Sequence, residues 1–290
     1  MAPYWLLLVP TALFAWTTIV AAVGVAIQAA DRNEPIAASP ALFARIAREA
    51  GARAALRLAS WLAWGRPDPK PSQAPQNPRL PPVLLVPGLT WNRAGFWPLA
   101  TFLRRRGWRW VFPIDRRDRD GTLATEAEGL AAAITALRAA SGATRVDLVA
   151  FSTGGLVAAW YLRHHGATNV RRLVTVGTGW SGTRLAVFGR GRSVEEIRYG
   201  SHVLDGLWPP AVPTVCVFSP DDPVIVPASS AIPPHGADAV RIDECGHVDM
   251  LLSARVFRAV QAALDLPSHA AVDPVDPGAT IVPVDRAGAE

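Results

Sequence analysis

Apolar and polar positions divide the chain into unlike stretches. No charge occurs from Tyr4 to Ala30, and these 27 residues exceed the ~20 that carry a helix across a bilayer. The spacing therefore predicts a transmembrane anchor over residues 1–30. Residues 31–65 change to an amphipathic helical period. Phe43, Ala47, Ala54, Leu58, Trp61 and Leu62 share one side, while Arg45, Arg48 and Arg53 fall largely elsewhere. Ser39 is placed to cap this helix, Pro40 suits its first position and Gly65 its end. Two readings stay open for it: a helix lying on a membrane or clasping the domain, or an ordinary amphipathic helix packed on the core. Residues 66–80 are Pro-rich and aperiodic, which predicts a stiff linker. From 81 to 266 short apolar runs alternate with longer helical ones. The expected strands are 83–86, 110–113, 145–151, 172–176, 214–218 and 239–243. The expected helices are 96–106, 123–140, 153–165 and 250–264. Alternation of this kind predicts an α/β domain with a doubly wound, mostly parallel six-stranded sheet. The Pro-, Ala- and Asp-rich tail 267–290 is expected to be disordered.

Charge and cysteine content add modest constraints. The 290 residues carry a formal charge of +5, and Lys70 is the only lysine. No run of five like charges and no nucleic-acid motif occurs, so nucleic acid is not an expected partner. The arginines after residue 31 read better as a basic collar beside a membrane. By the positive-inside rule they place the domain in the cytoplasm, whereas an exported enzyme would face outward, so the side stays open. The rival to an anchor is a cleaved signal peptide. No basic residue precedes the apolar run, and "AIQAAD" is a poor cleavage site. The expected location is a membrane, the bacterial inner membrane in particular. Cys216 and Cys245 lack ligand spacing, which argues against a metal site, and are expected to pack as reduced apolar residues.

The candidate chemistry lies where strands end. "DLVAFSTGGLVAAW" reads as a strand, a turn at Ser152 and a helix. A nucleophile elbow needs small residues two before and two after the serine, so that strand and helix approach closely. Ala150 and Gly154 stand there, Ala150 adding one methyl to the usual glycine. A hydroxyl needs a base. His247, in "ECGHVDML" after the last expected strand, is the best candidate. Asp222 and Asp221, in "FSPDDPVIVP", both qualify by position as the orienting acid, Asp222 being favoured; Asp243 is a remoter choice. Backbone amides of Thr153 and of Leu89, in "LLVPGLTWN", are the expected oxyanion donors, since Pro87 has no N–H.

The order and spacing of "PVLLVPGLTWNRAGFWPLATFLRRRGW", "VDLVAFSTGGLVAAWYL", "LVTVGTGWSGTRLA", "FSPDDPVIVP" and "ECGHVDML" resemble the α/β-hydrolase superfamily, especially its small bacterial lipases and esterases. The resemblance covers residues 81–266. It implies a Ser152–Asp222–His247 triad, Leu89 and Thr153 as oxyanion donors, no cofactor, and an acyl ester or lipid as substrate. Gly179 and Trp180 replace the Pro-His pair of the family's acyl-site loop. Trp91, Trp180 and Trp208 are candidate pocket residues, Trp97 a weaker one. Residues 189–210 read either as a lid or as a plain crossover. Transfer of the acyl group to an alcohol or amine, and a non-catalytic interaction protein on the same scaffold, are the competing functional readings.

Overall fold

The computed structural model describes residues 5–33, 39–62, 80–89, 91–116, 121–233, 238–266 and 279–282. The expected linker and most of the tail, with Gly65, lie outside them. All six expected strands are present: β1 (Val83–Val86), β2 (Val111–Pro113), β3 (Val146–Phe151), β4 (Val170–Val176), β5 (Thr214–Phe218) and β6 (Asp238–Ile242). They pair in parallel in the order β2-β1-β3-β4-β5-β6. The reversal of order at β1 and β3 is a topological switch point, where clefts open beyond the carboxyl ends of the strands. The tail supplies a correction. Its residues Ala279–Val282 form β7, antiparallel on β6, where disorder was expected; "ATIV" has the β-branched composition that suits an edge strand.

Helices cover both faces. Successive residues of β1 serve opposite layers. Val83 and Leu85 join a core with α3 (Trp97–Arg105) and α7 (Ala254–Asp265), while Leu84 and Val86 join one with α4 (Leu123–Ser141) and α5 (Thr153–His164). This two-sided burial explains why the strands read as continuous apolar runs. The helix expected over 250–264 starts later: a single turn, Asp249–Leu251, follows His247, and Ser253 then caps α7 through the amide of Val256.

The N-terminal region forms two helices, α1 (Trp5–Arg32) and α2 (Pro40–Leu62), which pack on each other and on the domain. Ser39 Oγ accepts from Leu42 N at 3.2 Å, as its capping position implied. Thr17, Ala21, Gly24 and Gln28, one helical stripe of α1, are buried. A side chain at Gly24 would collide with the Pro223 carbonyl, and Gln28 Nε2 donates to the carbonyl of Asp222 at 2.5 Å. The C-terminal half of α1 is thus docked on the domain.

Helix α2 clasps the domain with its polar side, and does not bury its apolar side as an ordinary core-packed helix does. Phe43, Leu58 and Trp61 of the apolar side face outward, Trp61 being 70% exposed. The face turned inward runs through Leu42, Arg45, Glu49, Ala52, Arg53 and Leu56. Of its polar members, Arg45 and Glu49 form directed bonds to loops of the domain, which an aliphatic stripe has no means to make.

Candidate active site

Ser152 sits between β3 and α5 with φ 55° and ψ −127°, a left-handed backbone that a non-glycine residue adopts at a cost of about 1–3 kcal/mol. The strain turns its hydroxyl out of the strand. Its amide donates to Val176 O at 2.8 Å, and its carbonyl accepts from Thr178 Oγ1 at 2.9 Å. The surrounding glycines are there for space. A Cβ on Gly154 would stand 2.5 Å from Val86 O and 2.8 Å from Pro87 O, and one on Gly88 2.8 Å from Ser152 Cβ. Gly155 faces the Thr178 side chain just as closely. Ala150, by contrast, is accommodated within β3, between Val86 and Thr175.

Ser152, His247 and Asp222 come together although 95 and 25 residues of sequence separate His247 from the other two. His247 Nε2 lies 2.9 Å from Ser152 Oγ, and Nδ1 lies 2.6 Å from Asp222 Oδ2. The other oxygen, Asp222 Oδ1, accepts from the amides of Val224 and Ile225 at 2.7 and 3.0 Å. The carboxylate is fully buried, so these bonds are what offset its desolvation. The imidazole is sandwiched locally: the Phe151 ring lies 4.8 Å away, and Gly177 leaves room for the imidazole on another side. The competing acids are engaged elsewhere. Asp221 pairs with Arg45 and accepts from Glu244 N at 2.8 Å, bracing a residue with φ 55°. Asp243 pairs with Arg241 at 2.7 Å.

The turn through Gly88 and Leu89, expected to supply an oxyanion donor, lies beside Ser152. The Leu89 amide donates to Thr153 Oγ1 at 2.6 Å.

A cavity of about 160 Å³ opens at Ser152 and His247. Its lining is mostly apolar and includes Leu89, Trp91, Leu156, Ile197 and Ile225. Ile197, Ile225 and Arg53 are residues that sequence reasoning did not assign to the site. The α2 residue Arg53 lies far from the motifs in the chain, and no local signal tied it to them. Trp91 lines the pocket as expected. Trp180 and Trp208 do not. They stack edge-on at 4.7 Å and belong to the core beside Leu204 and Leu207. Residues 189–210 form short helical turns, α6 (Arg192–Glu195) and the turn His202–Leu204. Trp97 is largely exposed on α3. Both cysteines are free and buried, and burial pushes their thiols up to about 12, as suits apolar packing.

Parallel sheet order, a strained serine at a strand–helix elbow and a buried Asp–His pair reaching it describe the α/β-hydrolase fold, and the chain carries that fold. The family model described as alpha/beta hydrolase fold matches residues 81–190. Among solved structures, lipase BlEst2 of Bacillus licheniformis in its mature form is similar with a TM-score of 0.60 at 17% identity, over 69% of this chain and 98% of that one. Aspergillus fumigatus lipase B gives 0.59 at 19% identity, over 74% of this chain but only 58% of its own length. Phospholipase PlaB of Legionella pneumophila gives 0.55 at 12% identity, over 65% and 60%.

Proposed function

We propose that the protein is a serine ester hydrolase acting on apolar acyl esters, lipid esters among them, through an acyl-enzyme on Ser152. The continuous contact from Ser152 Oγ through His247 to Asp222, at the foot of an apolar cavity, carries this reading. His247 Nε2 takes the Ser152 proton as Oγ attacks the acyl carbon. Asp222 holds the Nδ1–H and stabilises the imidazolium that forms. The amides of Leu89 and Thr153 bind the oxyanion. His247 then returns the proton to the departing alcohol, and water, deprotonated by the same imidazole, releases the acid. The similarity to lipases and a phospholipase supports lipid esters as the substrate class. The cavity is smaller than the roughly 300–1,000 Å³ of common ligand sites, so it holds the reacting carbonyl and a short part of the chain.

Membrane association belongs to the same proposal. Helix α1 is long and apolar enough to cross a bilayer over Phe14–Arg32 by length and composition, but its stripe through Gly24 and Gln28 is docked on the domain, so the membrane contact is assigned to the exposed groups of the helix pair. Phe14, Trp16 and Ile19 of α1 and Phe43, Leu58 and Trp61 of α2 are exposed apolar groups on the helices that flank the domain. They suit a lipid surface.

The test is labelling of the full-length protein with a fluorophosphonate, beside Ser152→Ala and His247→Ala. Wild type is expected to be labelled and to hydrolyse p-nitrophenyl butyrate, and both variants to do neither. Equal labelling of wild type and Ser152→Ala sinks the assignment.

A further inference from the structure

We infer that Glu49, on α2, is a positioning residue for His247, so that the active site extends beyond the hydrolase domain into the preceding helix. The inference rests on the proposed role of His247. Glu49 is 1% exposed. Its Oε2 accepts from the amides of Val248 and Asp249 at 2.8 and 3.1 Å, the two residues that follow His247. On the other side of the histidine, a Cβ at Gly246 would stand 2.5 Å from the same Oε2. The carboxylate therefore sits against the chain on both sides of His247. Oε1 pairs with Arg53 at 2.8 Å, and Arg53 lines the cavity.

A buried carboxylate is costly to hold unless its charge is met. Here two amides and one guanidinium meet it, and all three lie at or next to the candidate site. The amides are those that open the turn Asp249–Leu251. Glu49 caps that turn from 199 residues away in the chain. The neighbouring side chains of α2 strengthen the same clamp. Arg48 Nη2 donates to Glu244 O at 2.6 Å, and Arg45 pairs with Asp221, next to Asp222.

The consequence is geometric. The His247 ring has to meet Ser152 and Asp222 at once, and its backbone is the fulcrum. A displacement of about 1 Å at such a group costs on the order of 10²-fold in rate. No other described side chain accepts from the amides of Val248 and Asp249. Helix α2 is thus the outer wall that fixes the base.

The experiment uses the full-length protein and Glu49→Ala, Glu49→Gln and Gly246→Ala. It reads kcat and KM for p-nitrophenyl butyrate, the second-order rate of fluorophosphonate labelling, and thermal unfolding. Glu49→Ala is expected to lower kcat and the labelling rate together by on the order of 10²-fold, with KM changed far less. Glu49→Gln keeps an oxygen for the two amides and is expected to recover most of that loss. A fold-stabilising role alone lowers the melting temperature and leaves kcat and labelling at wild-type values, which overturns the inference; so does a Glu49→Gln as impaired as Glu49→Ala. Should Glu49→Ala not fold, Gly246→Ala reads the same contact by pushing the carboxylate off the loop. A folded Gly246→Ala with wild-type kcat also overturns it. Failure of the ester-hydrolase reading is distinct, since wild type itself then shows neither labelling nor turnover.

Discussion

At the scale of single residues, Thr153 illustrates how one residue can serve two parts of a site through its main chain and its side chain. Its amide follows Ser152 and is one proposed oxyanion donor, while its hydroxyl accepts from the other proposed donor, Leu89 N, at 2.6 Å. On the proposed mechanism, binding of a substrate oxygen exchanges this hydrogen bond for another. Such a bond contributes about 0.5–1.5 kcal/mol net, or about two- to tenfold in an equilibrium. Thr153→Ala removes the competing acceptor, and KM for p-nitrophenyl butyrate is expected to fall by that factor in steady-state assays. An unchanged or higher KM would show that the hydroxyl does not compete. The sequence singled out Thr153 by its place after Ser152, but not the direction of its hydroxyl, which is a rotamer set by packing. The same holds for the acid. Two adjacent aspartates qualified by position, and only their surroundings separate them. Asp222 receives two amides and His247, whereas Asp221 is drawn off by Arg45 and Glu244 N.

At the scale of elements, the elbow is a contact between β1, β3 and α5 as much as a turn. Gly154 faces the carbonyls of Val86 and Pro87, which are backbone atoms with little freedom to yield. Gly154→Ala has to push α5 away from β1 and is expected to cost about 1–3 kcal/mol, as overpacking does. Differential scanning calorimetry is expected to show a melting temperature lower by roughly 2–4 °C per kcal/mol. Turnover should fall with it, since the elbow and the Leu89 turn move apart. Elements of this kind were legible from their pattern, because a buried parallel strand and a capped helix are local in period. Helix α2 was legible as a helix for the same reason. Its orientation was not: the moment of Phe43, Leu58 and Trp61 points to the side that a globular protein normally buries, and the structure turns that side out. What decides it is the set of bonds that Arg45, Arg48 and Glu49 make to the loops after β5 and β6.

At the scale of the whole molecule, the chain places a pair of helices with exposed apolar groups next to the candidate site. On the membrane reading, the outward groups of α2 add to the hold of α1 on lipid. Burial of one large apolar side chain contributes about 1.5–3 kcal/mol, or some ten- to hundredfold in partitioning. A Leu58→Asp, Trp61→Asp double variant is therefore expected to raise KM for an ester presented in phospholipid vesicles by at least about tenfold, with turnover of a soluble ester retained. An equal KM for both presentations removes these residues from the interface.

The sequence by itself determined what short-range pattern encodes. It specified the six parallel strands, the covering helices, the serine elbow, and the order in which Ser152, Asp222 and His247 enter the site. These follow from side-chain period, glycine placement and apolar runs, all of which act over a few residues. Only the tertiary structure decided what depends on contacts across the chain. It placed the favoured Asp222 on His247 and drew Asp221 to Arg45, put Trp180 and Trp208 against the core and not in the cavity lining, and added β7 to the sheet edge. It also brought Glu49 against the turn that follows His247, 199 residues away. A hydrogen bond of that separation leaves no periodic trace in the sequence, since neither partner's local pattern requires the other. Its energy is set by burial and direction, and both exist only once the helices are packed.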